Sequence, residues 1–284
     1  MAPFLTVKNV TMQFGGLKAL SDVNFEINKG EIFGLIGPNG AGKTTMFNCV
    51  TGVYSPTGGE VAFDGQPITG RRPDQIVDLG ICRTFQQIRL FPNMTSLENV
   101  FIGVDARHQT SVWGALFRGP RHRREEQEGE ETSLQLLEYC GLRKFANELA
   151  KNLSYGDQRR LEIARALGTK PSLLLLDEPA AGMNPVEKNG LRDLVRKIRD
   201  EGVTVLLIEH DMKVVMGLSD RVAVLDHGEL IAYGKAEEVQ KDPKVIEAYL
   251  GSGAGGGAAV SGEGQASGRR DVGTDSQAGG DDGR

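Results

Sequence analysis

The chain has 284 residues, of which 39% are hydrophobic and 25% are charged, and its formal net charge is −5. This is an ordinary globular composition, and the charge gives no global electrostatic reason to expect nucleic acid or an anionic membrane as a partner. No run of about 18 apolar residues occurs and the N-terminus lacks a signal-peptide pattern, so we expect neither a membrane span nor a signal peptide. Three widely spaced cysteines without a C-x-x-C pair favour buried thiols over disulfides or a zinc site.

The first part of the chain is typical of antiparallel strands. Apolar residues alternate over residues 4–14 and 20–27, and residues 60–63 end at Asp64-Gly65, a hairpin turn signal. Between them, the continuous apolar run 32–36 predicts a fully buried strand.

A glycine-rich segment follows that buried strand directly; it comprises Gly37, Pro38, Asn39, Gly40, Ala41, Gly42, Lys43, Thr44 and Thr45. It matches the phosphate-binding loop G-x-x-x-x-G-K-[ST] and precedes a predicted helix from residue 43 to about residue 50. Its backbone N–H groups and the helix N-terminus are expected to bind phosphate oxygens. Lys43 would neutralise the β- and γ-phosphates, and Thr44 would supply a Mg²⁺ ligand. The sequence therefore predicts a nucleoside triphosphate site.

The middle of the chain predicts a short strand at 81–85, a loop through Gln86, and a helix capped by Thr95 or Ser96 with Glu98 in its first turn. Basic residues at 118–124 are followed at once by acidic ones, which favours a solvated helix start over a phosphate or lipid contact. Apolar residues at helical spacing then predict a helix ending near Gly141.

From residue 171 onward, predicted strands and helices alternate. Strands are expected at 172–177, 203–208, 221–225 and 230–233, and helices at 185–199, 212–218, 236–241 and 245–250. This order predicts a mostly parallel sheet with helices on both faces. Residues 251–284 are rich in glycine, serine, alanine and aspartate, so we expect a disordered tail; a role in binding a partner is the alternative.

Two carboxylates, Asp177 and Glu178, follow four leucines at the end of a predicted buried strand. The carboxyl ends of parallel strands are where ligands of such sheets bind, so both side chains are expected beside the phosphate loop. Asp177 would hold Mg²⁺ directly or through water, and Glu178 would position or deprotonate the attacking water.

A further segment combines a helix cap with a glycine: Leu153-Ser154-Tyr155-Gly156-Asp157-Gln158-Arg159-Arg160. Ser154 is a good N-cap, and Gly156 permits close approach of a ligand to the backbone. The segment is either a second anion-binding helix N-terminus or simply a capped surface helix.

The motifs together resemble, in order and spacing over residues 4–250, an ABC transporter ATP-binding subunit. Segments 83–86, 154–167, 178–185, 228–234 and 245–251 are similar to the branched-chain amino acid importer ATPases of that family. The resemblance implies an α/β fold with a P-loop NTPase (RecA-like) core and an antiparallel β subdomain in a domain spanning residues 1–250. An α-helical subdomain would be inserted at about 90–168.

The resemblance also implies residue roles. Phe14 would stack on adenine, although a buried core phenylalanine is the alternative. Gln86 would contact Mg²⁺ and the attacking water and signal to the transmembrane partner, and His210 would reach the γ-phosphate. Ser154 and Gly156 would bind the γ-phosphate held by the other subunit of a head-to-tail pair.

Three residues depart from the general ABC pattern: Tyr155 and Asp157 replace glycine and glutamine, and Asn184 replaces aspartate. All three fit the branched-chain subfamily, so ATP hydrolysis remains the expectation.

The partners that the resemblance implies are a second cassette (the same or a homologous chain), integral-membrane permease subunits contacted through residues 86–99, and a solute-binding protein that acts through the permease. Nucleic acid is not expected, and the chain would lie peripherally on the cytoplasmic face of the inner membrane. Alternatives are a urea or short-amide importer, an exporter or lipid-handling system, a soluble ABC ATPase of DNA repair or translation, and a non-hydrolysing binding module.

Overall fold

The computed structural model describes residues 3–106, 120–210 and 212–251. The strands, in chain order, are β1 (Leu5–Phe14), β2 (Leu17–Ile27), β3 (Ile32–Ile36), β4 (Gly58–Phe63), β5 (Gln66–Pro67), β6 (Ile81–Arg83), β7 (Leu173–Asp177), β8 (Thr204–Ile208), β9 (Arg221–Asp226) and β10 (Glu229–Lys235). The helices are α1 (Lys43–Val50), α2 (Pro73–Asp78), α3 (Ser96–Asp105), α4 (Pro120–Tyr139), α5 (Tyr155–Gly168), α6 (Pro185–Asp200), α7 (Met212–Met216), α8 (Ala236–Val239) and α9 (Pro243–Gly251). Short 3₁₀ turns lie at Arg143–Phe145 and Ala150–Asn152.

The core of the fold is a six-stranded sheet in the order β10-β9-β3-β8-β7-β6. Pairings from β9 to β6 are parallel, and β10 joins the edge antiparallel to β9. Strands β3, β7 and β8 are buried at every residue, as expected when both faces of a parallel sheet are covered. The predicted mixed α/β fold with a mostly parallel sheet is confirmed.

A second, antiparallel sheet has the order β2-β1-β4-β5. Its apolar residues join one face of the main sheet and helix α1 in a single cluster that includes Phe25, Phe33 and Phe47. The opposite face of the main sheet packs with residues of α3, α5 and α6, among them Val100, Leu161 and Leu191. The main sheet is therefore the middle layer, and the phosphate loop leaves it at the carboxyl end of β3.

Helices α3, α4 and α5 pack together between β6 and β7 in the chain. The predicted cap of α3 is present, because the Thr95 side chain accepts from the Glu98 N–H while the Glu98 carboxylate accepts from the Thr95 N–H. Helices α3 and α5 cross so closely that a Cβ added to Gly103 would lie 2.1 Å from the Arg165 carbonyl oxygen, which requires glycine there.

Among the described helices, α2 was not predicted from the sequence, and several elements end at other residues than predicted. Helix α2 has six residues and a single buried one, Ile76, so it shows no apolar periodicity; its local signal was Pro73 at the first position. Helix α7 ends at Met216 rather than at 218. Among the helices of the described residues, none is both long and apolar enough to cross a membrane.

The division into a 1–250 domain with an inserted helical subdomain at about 90–168 stays a prediction. The predicted tail, apart from Gly251 at the end of α9, lies outside the described residues, as does Arg118 of the basic run.

Candidate functional site

The loop between β3 and α1 requires glycine at two positions. Gly37 and Gly42 have φ values of 150° and 102°, and a Cβ on them would lie 2.0 Å from the Leu225 carbonyl oxygen and 2.7 Å from the Ala19 carbonyl oxygen. Gly42 is also the N-cap of α1, and no side chain caps that helix end. The first N–H groups of α1 are thus available to an anion.

Lys43 lies at the start of α1 with its side chain folded back over the loop. Its ammonium donates to the carbonyl oxygens of Gly37 at 2.7 Å and Pro38 at 2.8 Å. Burial lowers the pKa of Lys43, while the negative charges of Glu178 and Asp177 act in the opposite direction. The two carboxylates are therefore close enough to interact electrostatically with the loop lysine, as the sheet-edge argument predicted.

Glu178 lies beside the two other predicted catalytic side chains. Its Oε2 accepts a hydrogen bond from Gln86 Nε2 at 3.0 Å and lies 3.7 Å from His210 Nδ1. Its backbone is left-handed, with φ 46°, which is uncommon for a residue other than glycine and is held by its N–H donating to the Ile208 carbonyl. The structure thus brings together three residues that are 92 and 32 positions apart in the sequence.

Asp177 ends β7 and is buried, with 2% of its surface exposed. Its Oδ2 forms an ion pair with Arg83 at 2.6 Å. Within the described residues, no group of three or more His, Cys, Asp and Glu side chains is placed to form a metal cage. One carboxylate and the Thr44 hydroxyl nevertheless suit Mg²⁺, because this ion is held by one or two carboxylates together with substrate phosphates and water.

A cleft of about 490 Å³ opens over the phosphate loop. It is lined by Phe14, Leu17, Lys18, Ala19, Asn39, Gly40, Ala41, Gly42, Lys43, Thr44, Thr45, Gln86, Glu178 and His227. Phe14 is 42% exposed and packs edge-on against Tyr54, so the alternative of a buried core phenylalanine is wrong.

Four residues that line the cleft were not predicted from the sequence: Leu17, Lys18, Ala19 and His227. The first three belong to β2, near the turn that follows Phe14, and no motif marks them. His227 lies in the turn directly after β9, so its position at the carboxyl end of a parallel strand was the available signal.

Ser154 and Gly156 are not among the residues that line this cleft. Ser154 caps α5: its hydroxyl accepts from the Asp157 N–H at 3.2 Å and donates to the Asp157 carboxylate at 2.8 Å. Gly156 faces Glu187 of α6, where an added Cβ would lie 2.9 Å from a carboxylate oxygen. The cap is as predicted, whereas these two residues and the phosphate loop do not enclose one space within a single chain.

The residues that replace the general pattern have structural partners. The Tyr155 hydroxyl accepts from Arg159 at 2.8 Å, and Arg159 also donates to the carbonyl oxygens of Phe85 and Gln86. Asn184 caps α6 by accepting from the N–H groups of Val186 and Glu187. The helix that carries Ser154 is thereby bonded to the loop that carries Gln86.

The arrangement has the parts needed for triphosphate hydrolysis. A phosphate-binding loop with a cation lies beside a carboxylate that can accept a proton from water, and an amide and an imidazole contact that carboxylate. The part of the chain that the structure describes leaves one side of this cleft open.

Two family models match the chain. The model described as ABC transporter matches residues 20–181, and the one described as branched-chain amino acid ATP-binding cassette transporter matches residues 229–255. The chain is also similar to the high-affinity branched-chain amino acid transport ATP-binding protein BraF of Pseudomonas aeruginosa. The two are 48% identical over 250 residues, which cover 88% of this chain and 98% of that protein.

Solved structures agree with these matches. An ATP-binding cassette of an ABC transporter in its ADP conformation superposes with a TM-score of 0.77 at 35% identity, covering 88% of this chain and all of that one. A dimeric cassette in a post-hydrolysis state, bound to ADP and phosphate, superposes with a TM-score of 0.70 at 30% identity, covering 82% and 98%. The expected ABC ATPase fold, with its RecA-like core, is confirmed.

Proposed function

Since this chain belongs to the ABC transporter family, we propose that it is the ATP-hydrolysing subunit of an importer for branched-chain or other hydrophobic amino acids. The chain binds ATP and is an ATPase of the ABC type. The observation that carries the substrate class is the match of residues 229–255, which lie outside the ATPase motifs, to a model specific for branched-chain amino acid cassettes. The 48% identity to BraF over nearly its whole length supports the same assignment.

In the proposed site, the phosphates of ATP lie on the loop 37–45, and Phe14 stacks on adenine. When ATP binds, the Lys43 ammonium exchanges its contacts with the Gly37 and Pro38 carbonyl oxygens for contacts with the β- and γ-phosphates. This pairs a buried positive charge with negative ones. Thr44, Asp177 and Gln86 hold Mg²⁺, which supplies charge neutralisation at the γ-phosphate. These ligands are oxygen donors, as the ion requires.

Glu178 accepts the proton of the water that attacks the γ-phosphorus, and ADP and phosphate are the products. The hydrogen bond from Gln86 and the nearby His210 imidazole orient its carboxylate, and His210 contacts the γ-phosphate. Because Glu178 Oε2 faces both side chains, a shift of the loop at Gln86 changes the position of the general base. This loop is therefore suited to transmit the state of the permease to the site.

The open side of the cleft is closed by a second cassette, through its Ser154 and Gly156. Support comes from the position of these residues outside the cleft of their own chain, and from the dimeric cassette to which this fold is similar. ATP joins the two surfaces through its γ-phosphate, and hydrolysis removes that link. Permease subunits and a solute-binding protein complete the importer, with this chain on the cytoplasmic face of the inner membrane.

Replacing the loop lysine tests the nucleotide site. Lys43→Ala removes two charge-assisted contacts to phosphate, so we expect ATP affinity to fall about 100-fold. Equilibrium titration with a fluorescent ATP analogue measures this, and Lys29→Ala serves as the control, because this exposed lysine precedes the amino end of β3, whereas the phosphate loop follows its carboxyl end. Wild-type affinity in Lys43→Ala would remove the phosphate loop from the proposal.

The importer assignment is tested by isolating the chain with the membrane proteins that co-purify and reconstituting the complex in vesicles with a solute-binding protein. We expect ATP-dependent uptake of labelled leucine, isoleucine or valine that is lost with Lys43→Ala. Uptake of urea with no uptake of these amino acids would replace the proposed substrate class with the alternative.

A further inference from the structure

Arg83, the last residue of β6, connects two parts of the site. Its Nη1 donates to Asn48 Oδ1 at 2.6 Å, and its Nη2 donates to Asp177 Oδ2 at 2.6 Å. The side chains of Arg83 and Asp177 are only 9% and 3% exposed. This is a buried, charge-assisted contact directly at the carboxylate that we propose as a Mg²⁺ ligand.

The two partners of Arg83 belong to different elements. Asn48 lies on α1, the helix that begins with Lys43 and Thr44, and Asp177 ends β7. Strands β6 and β7 pair in parallel with Arg83 opposite Leu175, so the guanidinium reaches forward along the neighbouring strand to Asp177. One planar group thereby connects the helix of the phosphate loop to the strand that supplies the metal-binding carboxylate.

Arg83 is itself held in place. Its guanidinium carbon lies 5.4 Å from the ring centroid of Phe47 on α1 and 5.4 Å from that of Phe85 in the loop before Gln86. Arginine suits such a position because its flat, rigid group stacks on aromatic rings while its nitrogens bond in fixed directions. A lysine ammonium has the charge but cannot reproduce this two-sided, planar contact.

We propose that Arg83 is a positioning residue for Mg²⁺: it fixes the Asp177 carboxylate, relative to Thr44 on α1, in the orientation that the ion requires. The inference rests on the proposed function, in which Thr44 and Asp177 hold the ion. Mg²⁺ needs near-ideal octahedral geometry, so a small rotation of a ligand weakens binding. The ion pair uses Oδ2, so Oδ1 is the oxygen that remains for the ion or its water. Residues that orient metal ligands in this way typically contribute 10- to 100-fold to metal affinity.

A purely structural ion pair would behave differently, and the chain contains a matched example. Arg221 pairs with Glu31 at 2.7 and 3.0 Å and stacks near Phe33 and Tyr233, at 5.7 and 5.3 Å. It lies at the amino end of β9, on the edge of the sheet opposite the phosphate loop. Loss of this pair would reduce stability without changing how the folded protein binds Mg²⁺.

The test compares Arg83→Met, Arg83→Lys and Arg221→Met in the full chain. ATP affinity is measured by titration over a range of Mg²⁺ concentrations and again in excess EDTA, and thermal unfolding of each variant is recorded. We expect the Mg²⁺ concentration for half-maximal enhancement of ATP binding to rise about 10- to 100-fold in Arg83→Met and less in Arg83→Lys. The Mg²⁺ requirement of Arg221→Met should match that of the wild type. The ATP affinities measured in excess EDTA should agree within about twofold among the wild type and all three variants.

An unchanged Mg²⁺ requirement in Arg83→Met would overturn the inference, whatever the loss of stability. If Arg83→Met does not fold, Asn48→Ala replaces it as the test, because it removes one anchor of the guanidinium and keeps the ion pair. A higher Mg²⁺ requirement in Asn48→Ala supports the inference, and an unchanged one overturns it. Asp177→Asn separates this failure from that of the proposed function. If Mg²⁺ enhances ATP binding equally in Asp177→Asn and the wild type, the metal assignment of Asp177 is wrong, and Arg83 has no ligand to position.

Discussion

The six-stranded sheet has an amino edge, where its parallel strands begin, and a carboxyl edge, where they end. Both carry the same kinds of charged residue in different arrangements. At the amino edge, Arg221 bonds to both oxygens of Glu31 and to the Tyr233 hydroxyl. The pKa of Arg221 is raised, chiefly by its hydrogen bond to Glu31. Asp220 similarly accepts from the Ile32 N–H and pairs with Arg199. These charges stabilise each other, so the amino edge is a structural network.

At the carboxyl edge, charges are buried beside an open cleft. Burial lowers the pKa of Lys43, whose ammonium contacts carbonyl oxygens of its own loop, and burial raises the pKa of Glu209. Glu178 has a left-handed backbone. Such groups are costly for stability and are characteristic of sites that bind or react. The charges at the carboxyl edge therefore need a ligand to pair with, whereas the charges at the amino edge pair with one another.

Replacing the proposed general base, Glu178, should change activity most and would separate chemistry from binding at the carboxyl edge. Glu178→Gln keeps the size of the side chain and an oxygen that can accept from Gln86, but it cannot take a proton from water. We expect kcat to fall about 10²- to 10⁴-fold while ATP affinity is retained. Phosphate release under steady-state conditions and an ATP titration measure the two quantities. A kcat equal to that of the wild type would remove Glu178 from its role.

An intermediate effect is expected at the amino edge, and it concerns stability alone. Arg221→Met removes charge-assisted hydrogen bonds that are only partly exposed to solvent, so we expect a loss of about 2 kcal/mol in the free energy of unfolding. For a domain of this size that corresponds to a fall of about 4–8 °C in the melting temperature. Thermal unfolding checks this, and kcat below the melting transition should be unchanged. A large loss of kcat with little loss of stability would contradict the comparison.

The smallest effect concerns Glu209, whose Oε1 accepts from the Ala180 N–H at 2.8 Å at the carboxyl edge. Burial raises its pKa above the ordinary value of 4.5, and Glu178 adds to this, while the Ala180 N–H and His210 oppose it. The folded protein therefore retains this proton more strongly than the unfolded chain, so stability falls as pH rises from about 4.5 through the raised pKa.

Glu209→Gln keeps an acceptor for Ala180 and removes the titration. We expect the variant to gain stability relative to the wild type as pH rises through the raised pKa of Glu209, because only the wild type must then ionise a buried carboxyl group. Melting temperatures from pH 4.5 to 8 without nucleotide measure the difference. A difference that does not vary with pH would show that Glu209 does not titrate in this range.

Local sequence signals were sufficient for much of the fold. Continuous apolar runs predicted β3, β7 and β8, and Thr95 with Glu98 predicted the start of α3, because periodicity and capping depend on neighbouring residues. Helix α2 was missed because six residues with one buried side chain carry no periodic signal.

Sequence patterns alone identified the phosphate loop after a buried strand, the two carboxylates at the end of another strand, and the ABC spacing of the motifs. Three features became known only from the folded chain: Arg83 bonds to both Asn48 and Asp177, Gln86 bonds to Glu178, and His227 lines the cleft. Sequence patterns do not reveal these contacts because they join residues that are far apart in the chain. They form where the order and register of the strands place their ends side by side, and no local pattern encodes that order.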